Sequence, residues 1–346
     1  MSLFNYIVRR LMFMVLVLFG VSLLVFGILM LIPPGMRVAA YVTHEKITVQ
    51  QIDSMIRQYG LKDPAPIQYV RWIKKIFTGD FGFSTTADST VLEGFRNFFP
   101  ITLELVLYAT PLIILAGVWM GTTAAIRKDR PIDHGIRVFA IVGYSLPLFW
   151  LGLLLMMLFY GYLGIFPPGD LFNPSRDVVY ATDGVFRRYT TLLTIDSILN
   201  WRWDIFLDAL YHLVLPAVNL VILDSALIMR LTRASMLEVL GQDYIRTAIA
   251  KGADQRTVYV KHARRNGLLP VITISGEMFA GLLSGMVITE TIFARKGIGW
   301  WMARAATQLD VAAIMFNVLF LGVVFVVVNL VVDLIYAAVD PRIRYT

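Results

Sequence analysis

Six stretches of this chain are apolar over the length of a bilayer crossing, at residues 11–32 and about 101–126, 138–163, 211–229, 268–293 and 312–338. At 1.5 Å rise per residue the first alone reaches roughly 33 Å, close to the hydrocarbon thickness of a membrane. Arg9 and Arg10 precede it in the manner of a secretory leader, and Val38-Ala39-Ala40 resembles a cleavage site. The run is nevertheless too long for a leader core of about 7–15 residues. It reads as a retained helix stopped by Pro33-Pro34-Gly35. A composition of 58% hydrophobic and 16% charged residues agrees with several lipid-embedded segments.

Six crossings put both termini on one side, and the basic residues say which side. Arg9 and Arg10, the short loop from Arg127 to Arg137, the basic segment from Arg230 to Arg265, and Arg342 and Arg344 all fall together, as positive-inside placement requires of cytoplasmic segments. The expected fold is an all-α polytopic membrane protein with six transmembrane helices, N-in and C-in. It is one domain spanning 1–346: a first helix at 1–35, an external segment at 36–100, a five-helix core at 101–338 with a cytoplasmic loop at 230–268, and a tail at 339–346. The localisation is an inner membrane, crossed several times, with the lipid bilayer as solvent. The net charge of +7 is accounted for by these loops and not by a nucleic-acid surface. Periodic apolar residues at Ile52, Met55, Ile56, Tyr59, Val70, Ile73 and Ile76 predict short helices packed over the membrane in the external segment. Residues 164–208, rich in Pro, Gly and Asp, predict an irregular acidic loop.

Catalytic chemistry has no foothold. There is no cysteine, so disulfides and thiolate sites are excluded. His44, His134, His212 and His262 are scattered without metal-ligand spacing, no nucleophile elbow occurs, and no phosphate-cradling Gly-rich loop is present. No cofactor or metal is expected on this chain, and any nucleotide energy would have to come from a partner. Polar residues within the apolar stretches are Glu104, Asn219, Asp224, Glu277, Glu290, Asn329 and Asp333. A carboxylate in hydrocarbon costs at least about 2.5–3.5 kcal/mol and so faces a watery cavity, the bundle interior or a membrane boundary. Glu104, Glu290 and Asp333 fit a boundary or an interhelical hydrogen bond. Asp224 and Glu277 lie deeper and are the candidates for lining a pathway. Gly117 and Gly121, and Gly281 and Gly285, have the spacing that lets helix backbones approach, inside the chain or at a subunit interface.

The most informative segment is the loop after the fourth stretch. YIRTAIAK at 244–251 has helical composition with Ile245, Ala248 and Ile249 on one face. Gly252 breaks it, and a second basic helical stretch follows Asp254. Such a helix suits a groove on another protein, and it equally suits an anionic lipid surface.

The segments QDYIRTA at 242–248, KG at 251–252 and KHARRNGLLP at 261–270 resemble the cytoplasmic signature loop of ABC-importer permeases of the dipeptide/oligopeptide type. The likeness continues in YGLKDPAPIQYVRW at 59–72, TGDFG at 78–82, PLFWLG at 147–152, HLVLP at 212–216, RLTRASMLEVL at 230–240 and DPRIR at 340–344. The resemblance implies the fold of a type I importer permease, with a homologous second permease, two cytoplasmic ATPase subunits that bind ATP and Mg, and an extracytoplasmic solute-binding protein as partners. It implies that the loop helix docks on an ATPase, with Tyr244, Ile245, Thr247, Ala248, Ala250, Lys251 and Gly252 as coupling residues. The solute it implies is a dipeptide or oligopeptide, or else an oligosaccharide. The chain departs from the family pattern at Ile249, at Arg295-Lys296-Gly297, at Pro33-Pro34-Gly35-Met36 and in an enlarged outer loop at 171–206. The rival functions are an ATP-independent channel or secondary transporter, and a membrane scaffold or enzyme.

Overall fold

The computed structural model describes residues 3–38, 48–181 and 185–339. His44, Arg342, Arg344 and the DPRIR segment lie outside the described residues, as do the tail from 340 onward and part of the external segment.

The chain begins with α1 (Leu3–Leu31), followed by a turn, α2 (Pro34–Arg37). Two external helices come next, α3 (Val49–Gln58) and α4 (Ala65–Phe77). A reciprocal Thr48–Gln51 capping box starts α3, and Pro64 starts α4, where a missing N–H costs nothing. A minimal antiparallel hairpin, β1 (Phe83–Ser84) with β2 (Ser89–Thr90), leads into α5 (Val91–Ile126). Then come α6 (Pro131–Ser145), α7 (Leu148–Leu155) with a π-helical extension Met156–Tyr162, and the outer helices α8 (Asn173–Tyr180) and α9 (Leu193–Leu199). The long α10 (Trp203–Leu240) ends at the loop helix α11 (Asp243–Ala250). A π-helical segment Thr257–Arg264, the turn α12 (Arg265–Gly267) and α13 (Leu269–Leu283) return into the bundle. Two short helices, α14 (Val287–Ile292) and α15 (Ile298–Thr307), precede α16 (Val311–Val339).

Among the described residues, four helices are long and apolar enough to cross a membrane: Leu11–Leu31, Val91–Ile126, Trp203–Leu240 and Val311–Ile335. Two bent pairs make up the six, Pro131–Ser145 with Leu148–Tyr162 at 101°, and Thr257–Gly267 with Leu269–Leu283 at 49°. The third expected span, 138–163, is therefore not one straight helix. Pro147 lacks an N–H and forces Leu146 into an extended conformation (ψ 132°), so the helix breaks there. The fifth expected span ends at Leu283 and not at 293, and Glu290 sits on a separate short helix. The second and fourth extend well beyond their expected limits. At 36 and 38 residues, α5 and α10 are roughly 54 and 57 Å long and outrun the bilayer. The external segment thus gives its last ten residues, 91–100, to α5, and the loop after the fourth span gives residues 230–240 to α10.

The bundle is organised around the parallel pair α5 and α10. A Cβ on Gly117 would lie 2.5 Å from the Ile228 Cβ, and one on Gly121 would lie 2.5 Å from the Thr232 Cβ and 2.7 Å from the Met229 carbonyl oxygen. Only glycine admits this approach. Around the seam, Leu105, Ile113, Leu213, Leu220 and Ile228 form one apolar core with Val271 and Leu282 of α13 and Val324 of α16. The second glycine pair behaves differently. Gly281 has no atom within 4 Å of where a Cβ would stand, so it makes no close packing within this chain. Gly285 adopts φ +111° and stacks on the backbone of Gly299, which makes it a turn glycine. The outer loop also departs from expectation. It is not irregular throughout, since α8 and α9 bring Leu171, Val179, Phe186 and Leu193 onto Ile205 and Ala209 of α10.

Gly121→Leu should cost at least about 1–3 kcal/mol by overpacking the seam. Gly281→Leu should leave the isolated chain unchanged. Thermal denaturation of both variants in detergent, followed by size-exclusion chromatography, measures the contrast.

Candidate functional site

At the basic end of the bundle α10, α11 and the returning helix form a hook. The α11 helix is closed by a Schellman motif: Gly252 N–H donates to the Ile249 carbonyl at 2.9 Å and Ala253 N–H to the Ala248 carbonyl at 3.1 Å. Gly252 has φ +82°, the left-handed value this motif needs. The next helix starts two residues later. The Thr257 amide donates to Asp254 Oδ2 at 3.1 Å, and hydrogen bonds from the Thr257 hydroxyl and amide hold the Asp254 carboxyl below its ordinary range.

The hook has an inner and an outer side. Ile245 is buried among Ala125 at the end of α5, Met236 on α10, and Val258 and Ala263 on the returning helix. The Tyr244 hydroxyl accepts a hydrogen bond from Asn266 Nδ2 at 2.9 Å, and Gly267 rests on the Met236 side chain. Thr247, Ala250, Lys251 and Gly252 are exposed on the outer side, Ala248 is half-buried, and Ile249 is 58% exposed. Of the residues expected to couple, Ile245 is therefore turned into the chain's own core and positions the helix. The outward apolar side chain is Ile249.

Beside the hook, Asp133 at the start of α6 is fully buried and receives both Arg233 nitrogens, Nε and Nη2, at 2.8 Å. The Asp129 amide donates to it at 3.0 Å. This fork clamps α6 to α10 within two turns of the loop. Sequence reasoning missed it, although the acid following Pro131 and the arginine within RLTRASM were both visible.

The polar groups of the spans divide as chemistry requires. Glu290 accepts from the Thr102 hydroxyl at 2.5 Å and from the Trp300 amide at 2.8 Å. Glu104 accepts from the amide and hydroxyl of Thr194 at 2.7 and 2.8 Å. Arg295, buried, lies 3.2 Å from Asp170 and 3.8 Å from Glu104. These groups staple the outer loop to the far ends of the spans, and the departure at Arg295 becomes the centre of that staple. Asp310 likewise accepts from Ser84 and Thr86 and caps α16 through the Ala313 amide.

Deeper in the bundle, Glu277 is exposed and Asp224 half-buried, and neither makes a hydrogen bond or ion pair among the described residues. Asp224 lies on α10 and Glu277 on α13, both on the outer side in sequence of the contact between Gly267 and Met236. Among the described residues no group of His, Asp and Glu is placed to hold a metal ion.

Family comparison decides what such a bundle and hook belong to. Residues 113–345 match the model of the binding-protein-dependent transport system inner membrane component, and residues 3–106 match the N-terminal model of the same membrane components. The chain belongs to this permease family. The dipeptide transport system permease of Alkalihalophilus pseudofirmus is 36% identical over 98% of this chain and 99% of its own length. The di/tripeptide transport system permease of Pseudomonas aeruginosa is 37% identical over 99% of each. The oligopeptide transport system permease of Bacillus subtilis is 37% identical over 98% and 99%. This permease is accordingly a multi-pass inner-membrane, non-catalytic component of a transport system.

Asp133→Ala should cost the permease about 3 kcal/mol by stranding a charge, and Arg233→Ala a comparable amount. The double variant should lose less than the sum of the two, which a double-mutant cycle on thermal unfolding measures.

Proposed function

We propose that this permease is the membrane-spanning subunit of an ATP-driven importer of dipeptides or oligopeptides, with its basic end and both termini in the cytoplasm. In this reading it pairs with a homologous second permease, two ATPase subunits dock on the basic end and bind ATP and Mg, and an extracytoplasmic binding protein delivers the solute. The relatives' names favour peptides over the oligosaccharide alternative. The observation that carries the coupling is the two-sided hook. Ile245 anchors α11 to α5, α10 and the returning segment Thr257–Arg264 while Ile249 and its neighbours face outward, so a force on α11 moves the ends of these elements as a rigid body. A channel or secondary transporter has no use for such an anchored, outward-facing helix.

Tyr244, Thr247, Ala248, Ala250, Lys251 and Gly252 then form the docking surface, with Ile245 beneath it. Asp224 and Glu277 line the pathway, because a carboxylate exposed in an apolar span needs water or a partner to solvate it.

Ile249→Asp should abolish ATP-dependent peptide uptake in reconstituted vesicles while leaving the thermal stability of the chain unchanged. Gly252→Pro should also abolish uptake, in a chain that still inserts into the membrane but has a less stable hook, since proline can neither adopt φ +82° nor donate to Ile249. Ile245→Asp should instead unfold the hook and lower stability. Uptake at the wild-type rate by the Ile249 and Gly252 variants overturns the coupling assignment, and equal uptake without ATP restores the channel reading.

A further inference from the structure

The third span is held in two pieces, and the inner piece is fastened to the helix that carries the hook. Asp133, buried at the start of α6, takes Arg233 Nε and Nη2 at 2.8 Å each, and Arg137 Nε lies 3.7 Å away. A two-pronged guanidinium–carboxylate pair fixes orientation as well as distance. Arg230, three residues earlier on α10, lies over the Tyr144 ring, 4.0 Å from its centroid. Between these points Ala140 is buried with Ala226 and Met229, and a Cβ on Gly143 would stand 3.0 Å from the Ile222 carbonyl oxygen. The α6 helix is thus fastened to α10 along its length, from residue 233 back to 222. Its other sides expose Val138, Ile141 and Val142.

The outer piece has different seats. Leu146 is extended before Pro147, and α7 departs at 101° to α6. A Cβ on Gly152 of α7 would meet Ile292 at the end of α14 and Asn219 of α10, and Leu155 is buried with Leu215 and Phe293. Leu215 and Asn219 flank Pro216, where α10 lacks a backbone hydrogen bond. The inner seat, by contrast, adjoins the hook. Met236, against which Ile245 is buried, follows Arg233 by three residues on the same helix. A displacement of α11 therefore reaches Asp133 through one turn of α10 and a rigid ion pair, with no loop between.

We propose that Asp133 and Arg233 are positioning residues of the transport cycle: their fork makes α6 part of the body that α11 drives, and the third span flexes at Leu146–Pro147. This rests on the reading of α11 as the ATPase-docking helix. Without the fork, α6 lags behind α10 and ATP is hydrolysed without moving the inner half of the span.

The test uses the whole complex, permease with its companion subunits and binding protein, in sealed vesicles with radiolabelled dialanine and trialanine as probes. Uptake and ATP hydrolysis are measured on the same preparation. Asp133→Asn keeps the shape of the side chain and an acceptor for the Asp129 amide but loses the charge that holds both Arg233 nitrogens. Peptide taken up per ATP should fall at least about fivefold, the lower end of a typical coupling between sites, while hydrolysis persists. Uptake and hydrolysis falling by the same factor would mark the fork as structural only and overturn its role.

A second measurement asks whether α6 and α10 move together. The chain has no cysteine, and Gly143→Cys with Ala226→Cys puts two Cβ atoms 3.8 Å apart, within the roughly 3.5–4.5 Å that a disulfide spans. Uptake should be the same oxidised as reduced, since the bond joins parts of one body. A block on oxidation that reduction relieves means that the helices slide, which overturns the proposal. Where Asp133→Asn does not assemble the cross-link decides, and where the cysteine pair is inactive when reduced the ratio for Asp133→Asn decides. A wild-type complex that couples hydrolysis to uptake of neither peptide contradicts the importer reading itself. Coupling present in the wild type and unchanged in Asp133→Asn contradicts only the fork.

Discussion

Everything in this permease depends on how closely α5 and α10 approach. Gly117 and Gly121 remove the side chains that would hold the helices apart, and Ile228 and Thr232 fill the space. In a bilayer there is no hydrophobic force between helices, so such van der Waals fit is a main source of association. The pair outruns the membrane at both ends. One end offers Ala125 and Met236 as the seat for Ile245, and the other holds Thr102 and Glu104 against Glu290, Thr194 and Arg295. A single packed strut therefore connects the hook to the polar staples that fasten the outer loop.

The charges follow the same logic. Where the strut leaves hydrocarbon, buried ions are paired or hydrogen-bonded, as in the Asp133–Arg233 fork and the Asp170–Arg295–Glu104 group. Breaking one partner strands the other, so these groups fix register at a high cost of disruption. Within the spans, Asp224 and Glu277 have no hydrogen bond or ion pair among the described residues, and on the proposed function water in the pathway solvates them.

Apolar length and the placement of arginines made the six crossings legible in the sequence, because bilayer thickness imposes a crude and local rule. The hook was legible too: Gly252 and Asp254 mark a helix stop and start within four residues. The interior of the third span was not, since its apolar run passes straight through the Pro147 break and only the pre-proline restriction on Leu146 reveals it. The inward turn of Ile245 was hidden because Ile245 and Ile249, one turn apart, share a face by periodicity while only one of them meets α5. Arg295 stood out in the sequence only as a departure from the family pattern, because its partners, Glu104 and Asp170, come from distant parts of the chain. Gly281 had the right spacing and lacks a neighbour, which shows that small-residue spacing permits close packing without specifying it.

The central claim is that the outer side of α11 meets an ATPase while its inner side meets only this chain. A photoreactive amino acid placed at 249, and separately at 245, in the native membrane tests it directly. The account predicts an adduct with a nucleotide-binding subunit from position 249 and none from 245. Adducts from 249 with lipid alone, while the transport complex stays assembled, would contradict it.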